Sequence, residues 1–207
     1  MFKKLAIASA TVGLIFAGAG SASAANINGT NGADVLFGTN DSDTIRAFAG
    51  NDAAFGRDGN DDVYGGLGND NLRGGRDSDD LYGQFGNDTL RGQSGYDDLY
   101  GNAGRDTLIG GLDADDLYGG SFRDWLSGGA SYDELTPNTG ADTTFGDAGN
   151  DDVYIRPDGA PDYVDCGDGD DDVYLLTGVI EVQDTFVNCE NFYDASAPKP
   201  VLLKRVG

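Results

Sequence analysis

Between Gly29 and Tyr154 the hydrophobic positions recur every nine residues. Fourteen contiguous nine-residue blocks run without a gap, and the eighth place holds Leu, Ile or Val in twelve of them, with Ala54 and Thr144 as the exceptions. The flanking places are polar in most blocks, as in Thr89-Leu90-Arg91, so one side chain of each trio points inward, the alternation of a short strand. The preceding places are rich in Gly, Asn and Asp, as in Gly83 to Asp88, which is turn chemistry. Each block therefore predicts a turn plus a short strand. One such strand cannot bury its apolar side chain alone, but stacked blocks can. Two blocks make a coil of 18 residues, coils stack at about 4.8 Å, and the inward residues form two facing ladders.

The sixth place is Asp in every block: Asp34, Asp43, Asp52, Asp61, Asp70, Asp79, Asp88, Asp97, Asp106, Asp115, Asp124, Asp133, Asp142 and Asp151. The first place is Gly in twelve blocks, with Ala47 and Pro137 departing. The fourth is Gly in nine, and Asp41, Asp77 and Asp113 replace it at intervals of 36 residues. That interval points to duplication of a four-block unit. Coiling sets seven of the sixth-place carboxylates along each edge. Like charges that close disfavour either ionisation or the fold. A solvated acidic surface is the plain alternative, but fourteen residues in strict register beside Gly turns favour divalent cations held between coils. Oxygen-only ligands suit Ca²⁺, whereas Mg²⁺ demands a tighter octahedron and keeps its waters.

"GGLGNDNLR", Gly65 to Arg73, matches the pattern G-G-x-G-x-D-x-U-x, and "GNAGRDTLI" and "GQFGNDTLR" match it nearly as well. On these residues the chain resembles the RTX, or haemolysin-type, calcium-binding nonapeptide repeat proteins. The resemblance implies an all-β fold, a right-handed parallel β-roll with two blocks per coil. It also implies calcium between successive turns on each edge, with the sixth-place Asp residues giving carboxylates and the turns giving carbonyls. Seven half-coils per edge leave six gaps, so twelve ions is the ceiling. Fuller ligation is implied from Gly56 to Tyr118 than around Asp124, Asp133 and Asp142, where Phe122, Ser131 and Pro137 stand at turn positions that usually carry Gly. Many members carry a C-terminal export signal and an appended enzyme or toxin domain, and neither is visible here.

The ends read differently. "MFKKLAIASATVGLIFAGAGSASA" has a basic start, an apolar stretch and the small-x-small site Ala22-Ser23-Ala24, so residues 1–24 read as a secretory leader cleaved after Ala24 rather than a membrane anchor. The β-roll is expected over 25–157. Residues 158–194, with two weaker echoes of the repeat, are expected as a β cap over the open sheet edge. In an exported chain Cys166 and Cys189 read as a disulfide, with two buried thiols as the alternative. The tail 195–207 is expected to be flexible.

Composition narrows the function. The formal charge is −23, and losing Lys3 and Lys4 with the leader makes it −25. That charge argues against nucleic-acid binding, which needs a basic surface. Histidine is absent, which removes the Ser-His-Asp triad and the His-Glu-x-x-His zinc helix, and each regular Asp already has a repeat role. The expectation is a secreted, non-enzymatic calcium-binding protein without stable membrane insertion. Tyr64, Tyr82, Tyr100 and Tyr118 recur at 18 residues on one face, flanked by Asp62, Asp80, Asp98 and Asp116, while Arg73 and Arg91 lie on the other. The Tyr row reads as a stabilising cross-strand stack; the alternative is an adhesion, glycan- or ice-binding face with a protein or glycan partner. A regular outward row of Thr, which ice binding favours, is interrupted by Asn71 and Trp125.

Overall fold

A computed structural model describes residues 13–16, 24–176, 180–181, 183–196 and 201–205. Successive strands alternate between two parallel sheets, so the chain winds as an all-β solenoid. One sheet has ten strands, from Gly13–Phe16 to Thr185–Val187, and we call it the Arg sheet after Arg73 and Arg91. The other has eleven, from Asn26–Asn28 to Val201–Arg205, and we call it the Tyr sheet. No helix among the described residues is long and apolar enough to cross a membrane.

Register repeats at 18 residues through the regular coils. Leu81 pairs with Leu99 and Leu99 with Leu117 on the Tyr sheet, while Leu72 pairs with Leu90 and Leu90 with Leu108 on the Arg sheet. The eighth-place residues are buried from Leu36 to Val153 and face each other as the expected ladders. A core one side chain thick per strand contributes little for its length, because burial stabilises in proportion to apolar area.

Thr144 interrupts the Arg-sheet ladder between Leu126 and Val164, and its buried hydroxyl has no hydrogen-bond partner. Thr144→Val keeps the shape and removes the unpaired group, so thermal melting in calcium should show a gain of about 1 kcal/mol.

The strands are longer than the trios the periodicity predicts. Asp62–Leu67 and Thr89–Ser94 each take six residues, from the seventh place through the third of the next block, leaving only places four to six as turn. The extension follows from stacking, because the second and third places also find register partners one coil away. The second place holds a left-handed φ in every block from Phe48 to Asp147, including Phe48 at 77°, Gln84 at 77° and Asn102 at 73°. Sequence reading placed turn chemistry across the first six places without singling out the second, although it is Gly or Asn in seven of the fourteen blocks.

The segment expected as a cap extends the same two sheets. Tyr163–Asp165 and Thr185–Val187 add to the Arg sheet, while Asp172–Leu175 and Asn191–Asp194 add to the Tyr sheet. The interval there shifts from 18 residues to 20 (Asp152 to Asp172) and 22 (Tyr163 to Thr185), so the insertions lie outside the ladder and leave register intact. Val201–Arg205, within the tail expected to be flexible, pairs antiparallel with Asn191–Asp194.

Cys166 and Cys189 form a disulfide in these last coils, with Cα atoms 5.1 Å apart. Closing that loop contributes about 3 kcal/mol in a chain-entropy account. The paired Cys→Ser substitutions should therefore release amide exchange protection at Tyr163–Asp165 and Asn191–Asp194 while Asn71–Arg76 keeps its own.

Most of the expected leader, residues 1–12 and 17–23, lies outside the described residues. Gly13–Phe16 pairs with Asp34–Phe37 in parallel register.

Candidate metal centre

Each sixth-place Asp closes a turn, and one carboxylate oxygen is used up there. The amide of Asp70 donates to Asp88 Oδ1 at 2.8 Å, and the amide of Asp79 to Asp97 Oδ1 at 2.8 Å. The same bond links coils along both edges, from Asp34 to Asp162 on one and Asp43 to Asp171 on the other. From Asp43 onward each Oδ1 is therefore fixed by the coil before it. Fifth-place residues reinforce one edge: the amides of Asn69, Asn87 and Arg105 donate to the side-chain oxygens of Asn51, Asn69 and Asn87 at 2.8–2.9 Å.

The second oxygen is left open in most blocks. Oδ2 of Asp52, Asp61, Asp70, Asp79, Asp88, Asp97, Asp106, Asp115, Asp124, Asp133, Asp142 and Asp151 is buried and has no hydrogen-bond partner. A buried carboxylate oxygen left this way is costly unless a proton or a cation takes it. The first-place glycines show where that atom points. A Cβ on Gly65 would stand 2.5 Å from Asp70 Oδ2 and 2.9 Å from the Gly83 carbonyl oxygen of the next coil. On Gly101 the same distances are 2.7 Å to Asp106 Oδ2 and 2.5 Å to the Gly119 oxygen. The first-place Gly thus keeps open a cradle where a carboxylate oxygen and a carbonyl oxygen from successive coils converge. Among the described residues no three His, Cys, Asp or Glu side chains gather as a metal cluster, so a cation here depends on those carbonyls. Hard oxygens of mixed charge suit Ca²⁺.

Burial pushes these carboxyls well above the usual range. Asp79, Asp115, Asp124 and Asp133 rise to about 8; Asp61, Asp70, Asp97 and Asp151 to about 7; Asp88, Asp106 and Asp142 to about 6. The donated amide opposes the shift, and for most of them neighbouring carboxylates add to it.

The chain matches the model of the RTX calcium-binding nonapeptide repeat over residues 28–63, 55–90, 64–99, 82–117, 91–126 and 118–153. The chain belongs to this RTX family. Among curated proteins no sequence matches it. The fold and the repeats together support calcium binding by a β-roll.

Not all the expected RTX positions are alike. At Asp34 and Asp43 the Oδ2 atom is not free. Asp34 Oδ2 accepts from the Thr30 amide at 2.6 Å and hydroxyl at 2.8 Å, and Asp43 Oδ2 from the Thr39 amide at 2.5 Å and hydroxyl at 3.0 Å. Thr stands second only in these two blocks, a signal that sequence reading passed over. Around Asp124 and Asp133 the first place is Gly and Oδ2 is open as in the middle coils despite Phe122 and Ser131, whereas Pro137, first in the block of Asp142, brings the Cβ that a first-place Gly lacks. Phe122 and Ser131 adopt the left-handed φ themselves, at 80° and 85°, and the Pro137 carbonyl stands in the cradle of Gly119. Beyond the regular blocks, Asp171 also has an unpartnered Oδ2.

The Tyr row is a tight stack. Tyr64, Tyr82, Tyr100 and Tyr118 lie with ring centroids 4.8–4.9 Å apart and planes within 5°. Arg46 covers the outer face of Tyr64 at 5.4 Å. The inner ring faces are taken by one another, the geometry of a cross-strand stack that steadies the sheet.

Proposed function

We propose that this is a secreted, non-catalytic calcium-binding β-roll whose folding is completed by calcium. The observation that carries the reading is the double row of buried, unpartnered Oδ2 atoms, with a backbone carbonyl of the next coil converging on the same space at Asp61, Asp70, Asp88, Asp106, Asp115, Asp124 and Asp151. A cation bound there neutralises the carboxylate and ties two coils together, so binding and coil closure are one event. Oxygen-ligated extracellular sites typically bind calcium at about 10⁻⁴–10⁻³ M. At 1 mM each adds roughly 0.4–1.4 kcal/mol by linkage. Ten of them approach the whole stability of an ordinary domain, about 5–15 kcal/mol. Export through cleavage after Ala24 fits this reading, since it delivers the chain to calcium-rich surroundings that also permit the disulfide.

Equilibrium dialysis with ⁴⁵Ca²⁺ on residues 25–207 tests it. Several ions, at most about twelve, are expected per chain, with Asp97→Asn lowering the count and Asp34→Asn leaving it unchanged. A count of one or none, or equal effects of the two substitutions, sinks the proposal.

A further inference from the structure

The two outward faces of the roll are opposite in charge. On the Tyr sheet the seventh place is acidic in seven consecutive strands: Asp62, Asp80, Asp98, Asp116, Glu134, Asp152 and Asp172. On the Arg sheet no seventh or ninth place from Val35 to Phe145 carries a carboxylate. A chain with 36 acidic residues has thus kept these outward places clear of them, although Asp58 and Asp147 stand at or near the ends of two strands of the same sheet.

Arginines occupy that face. Arg73 and Arg91 are register partners on neighbouring parallel strands, one coil apart. Arg57 stands one coil earlier, opposite Gly75, where the missing side chain leaves room beside Arg73 and Arg76. Two of the guanidinium groups are held from below: Arg57 lies over the Phe37 ring at 5.3 Å and Arg73 over the Phe55 ring at 5.4 Å. The sole ion pair among the described residues is Arg76 with Asp58, at 3.7 Å. Arg57, Arg73 and Arg91 form none. Arg73 Nε and Arg91 Nη1 are buried atoms without a hydrogen-bond partner. Phe55, Arg57, Arg73, Arg76, Gln93 and Leu112 line an open cleft of about 460 Å³ here, and Asp58 is its one acidic wall residue.

Like charges side by side on neighbouring strands destabilise a sheet. A shared counter-anion removes that cost, as a cation does for the Asp rows. Guanidinium groups present planar, fixed donors that match the oxygens of sulfate or phosphate, and stacking on aromatic rings pre-organises them. Several guanidiniums around one cleft suit a doubly charged, multi-oxygen anion better than a single carboxylate.

We infer that the Arg sheet carries an oxyanion-binding site in this cleft, centred on Arg57 and Arg73 and flanked by Arg91, the register partner of Arg73, which takes a sulfate or phosphate group, either as the free ion or as an ester. The site is independent of the calcium rows, beyond needing the folded roll that they build.

The test uses the calcium-loaded chain, titrated with sodium sulfate against sodium chloride of equal ionic strength. The arginine Nε–H signals are followed by NMR. Saturable shifts of Arg73 and Arg91 are expected, larger than those of Arg105 and Arg123 on the turns. The Arg73→Gln/Arg91→Gln double variant, with its far-UV spectrum unchanged, should bind at least about tenfold more weakly, the loss of roughly 1.4 kcal/mol or more. The shifts in the unaltered chain locate the ion even if that variant does not fold. A parallel titration with glucose 6-sulfate separates the sources: tighter binding of the ester assigns an esterified ligand, and equal binding assigns the free ion. Shifts that never saturate, or that spread evenly over all arginines, overturn the inference. So does a concentration-dependent dimer abolished by the double variant without a saturable sulfate response, which would assign the cleft to the acidic face of a second copy.

Discussion

Stripped of divalent cations and brought from pH 8 to pH 5, residues 25–207 should gain β-sheet signal. The direction follows from burial. Folding raises the central Asp carboxyls from 3.8 to between about 6 and about 8. Between about pH 4 and pH 8 the folded roll therefore binds more protons than the unfolded chain, and stability falls as pH rises through that window. Below about pH 4 both states are protonated and no more is gained. Asp80, Asp98, Glu134 and Asp152 on the Tyr sheet are raised too, again mainly by burial, and act in the same direction. A proton on Oδ2 supplies what the cation supplies at neutral pH, loss of the buried charge. In excess calcium the trend reverses, because the cation needs the ionised carboxylate. Far-UV circular dichroism at fixed ionic strength reads both arms, and a metal-free roll most stable at pH 8 would refute the role given to Oδ2.

Gly101→Ala is the substitution expected to cost most for its size. Gly101 has an ordinary φ, so Ala is not excluded by backbone conformation, and Gly→Ala at such a place normally stabilises by about 0.4–1 kcal/mol through the unfolded chain. Here the added Cβ would enter the cradle, 2.5 Å from the Gly119 carbonyl oxygen and 2.7 Å from Asp106 Oδ2. It displaces both oxygens and closes the space for a cation between coils. A loss of about 3 kcal/mol is expected in saturating calcium, or roughly 10 °C in melting temperature for a chain of this size. Gly32→Ala is the control, since only the Thr30 hydroxyl lies near, at 3.9 Å, and its melting temperature should not fall. Equal melting of the two variants would mean that the cradle has no energetic role.

The coil, the ladders and the two carboxylate rows were legible because each depends on a period. Leu99 and Asp97 return with the same spacing, and stacking maps that spacing directly into space. What escaped depends on which atom is already engaged. Nothing in the periodicity distinguishes Asp34 from Asp52, yet Thr30 satisfies Oδ2 of the first, while Oδ2 of the second is buried without a hydrogen-bond partner. The left-handed second place was hidden because Phe48, Arg57 and Gln84 occupy it as well as Gly66. Such residues pay a local strain that coil stacking overrides. The last coils were hidden because their insertions break the spacing in sequence while leaving it intact in the sheets. Asp184 and Glu190 extend the two edges there, accepting from the amides of Asp162 at 3.1 Å and Asp171 at 3.2 Å.

The most direct measurement is far-UV circular dichroism of residues 25–207 at pH 7.5 during a calcium titration, with magnesium as the control. Cooperative appearance of β structure between roughly 0.1 and 1 mM calcium, with no response to magnesium over the same range, is the predicted result. A metal-free chain that is already fully β at pH 7.5 and unchanged by calcium would contradict it.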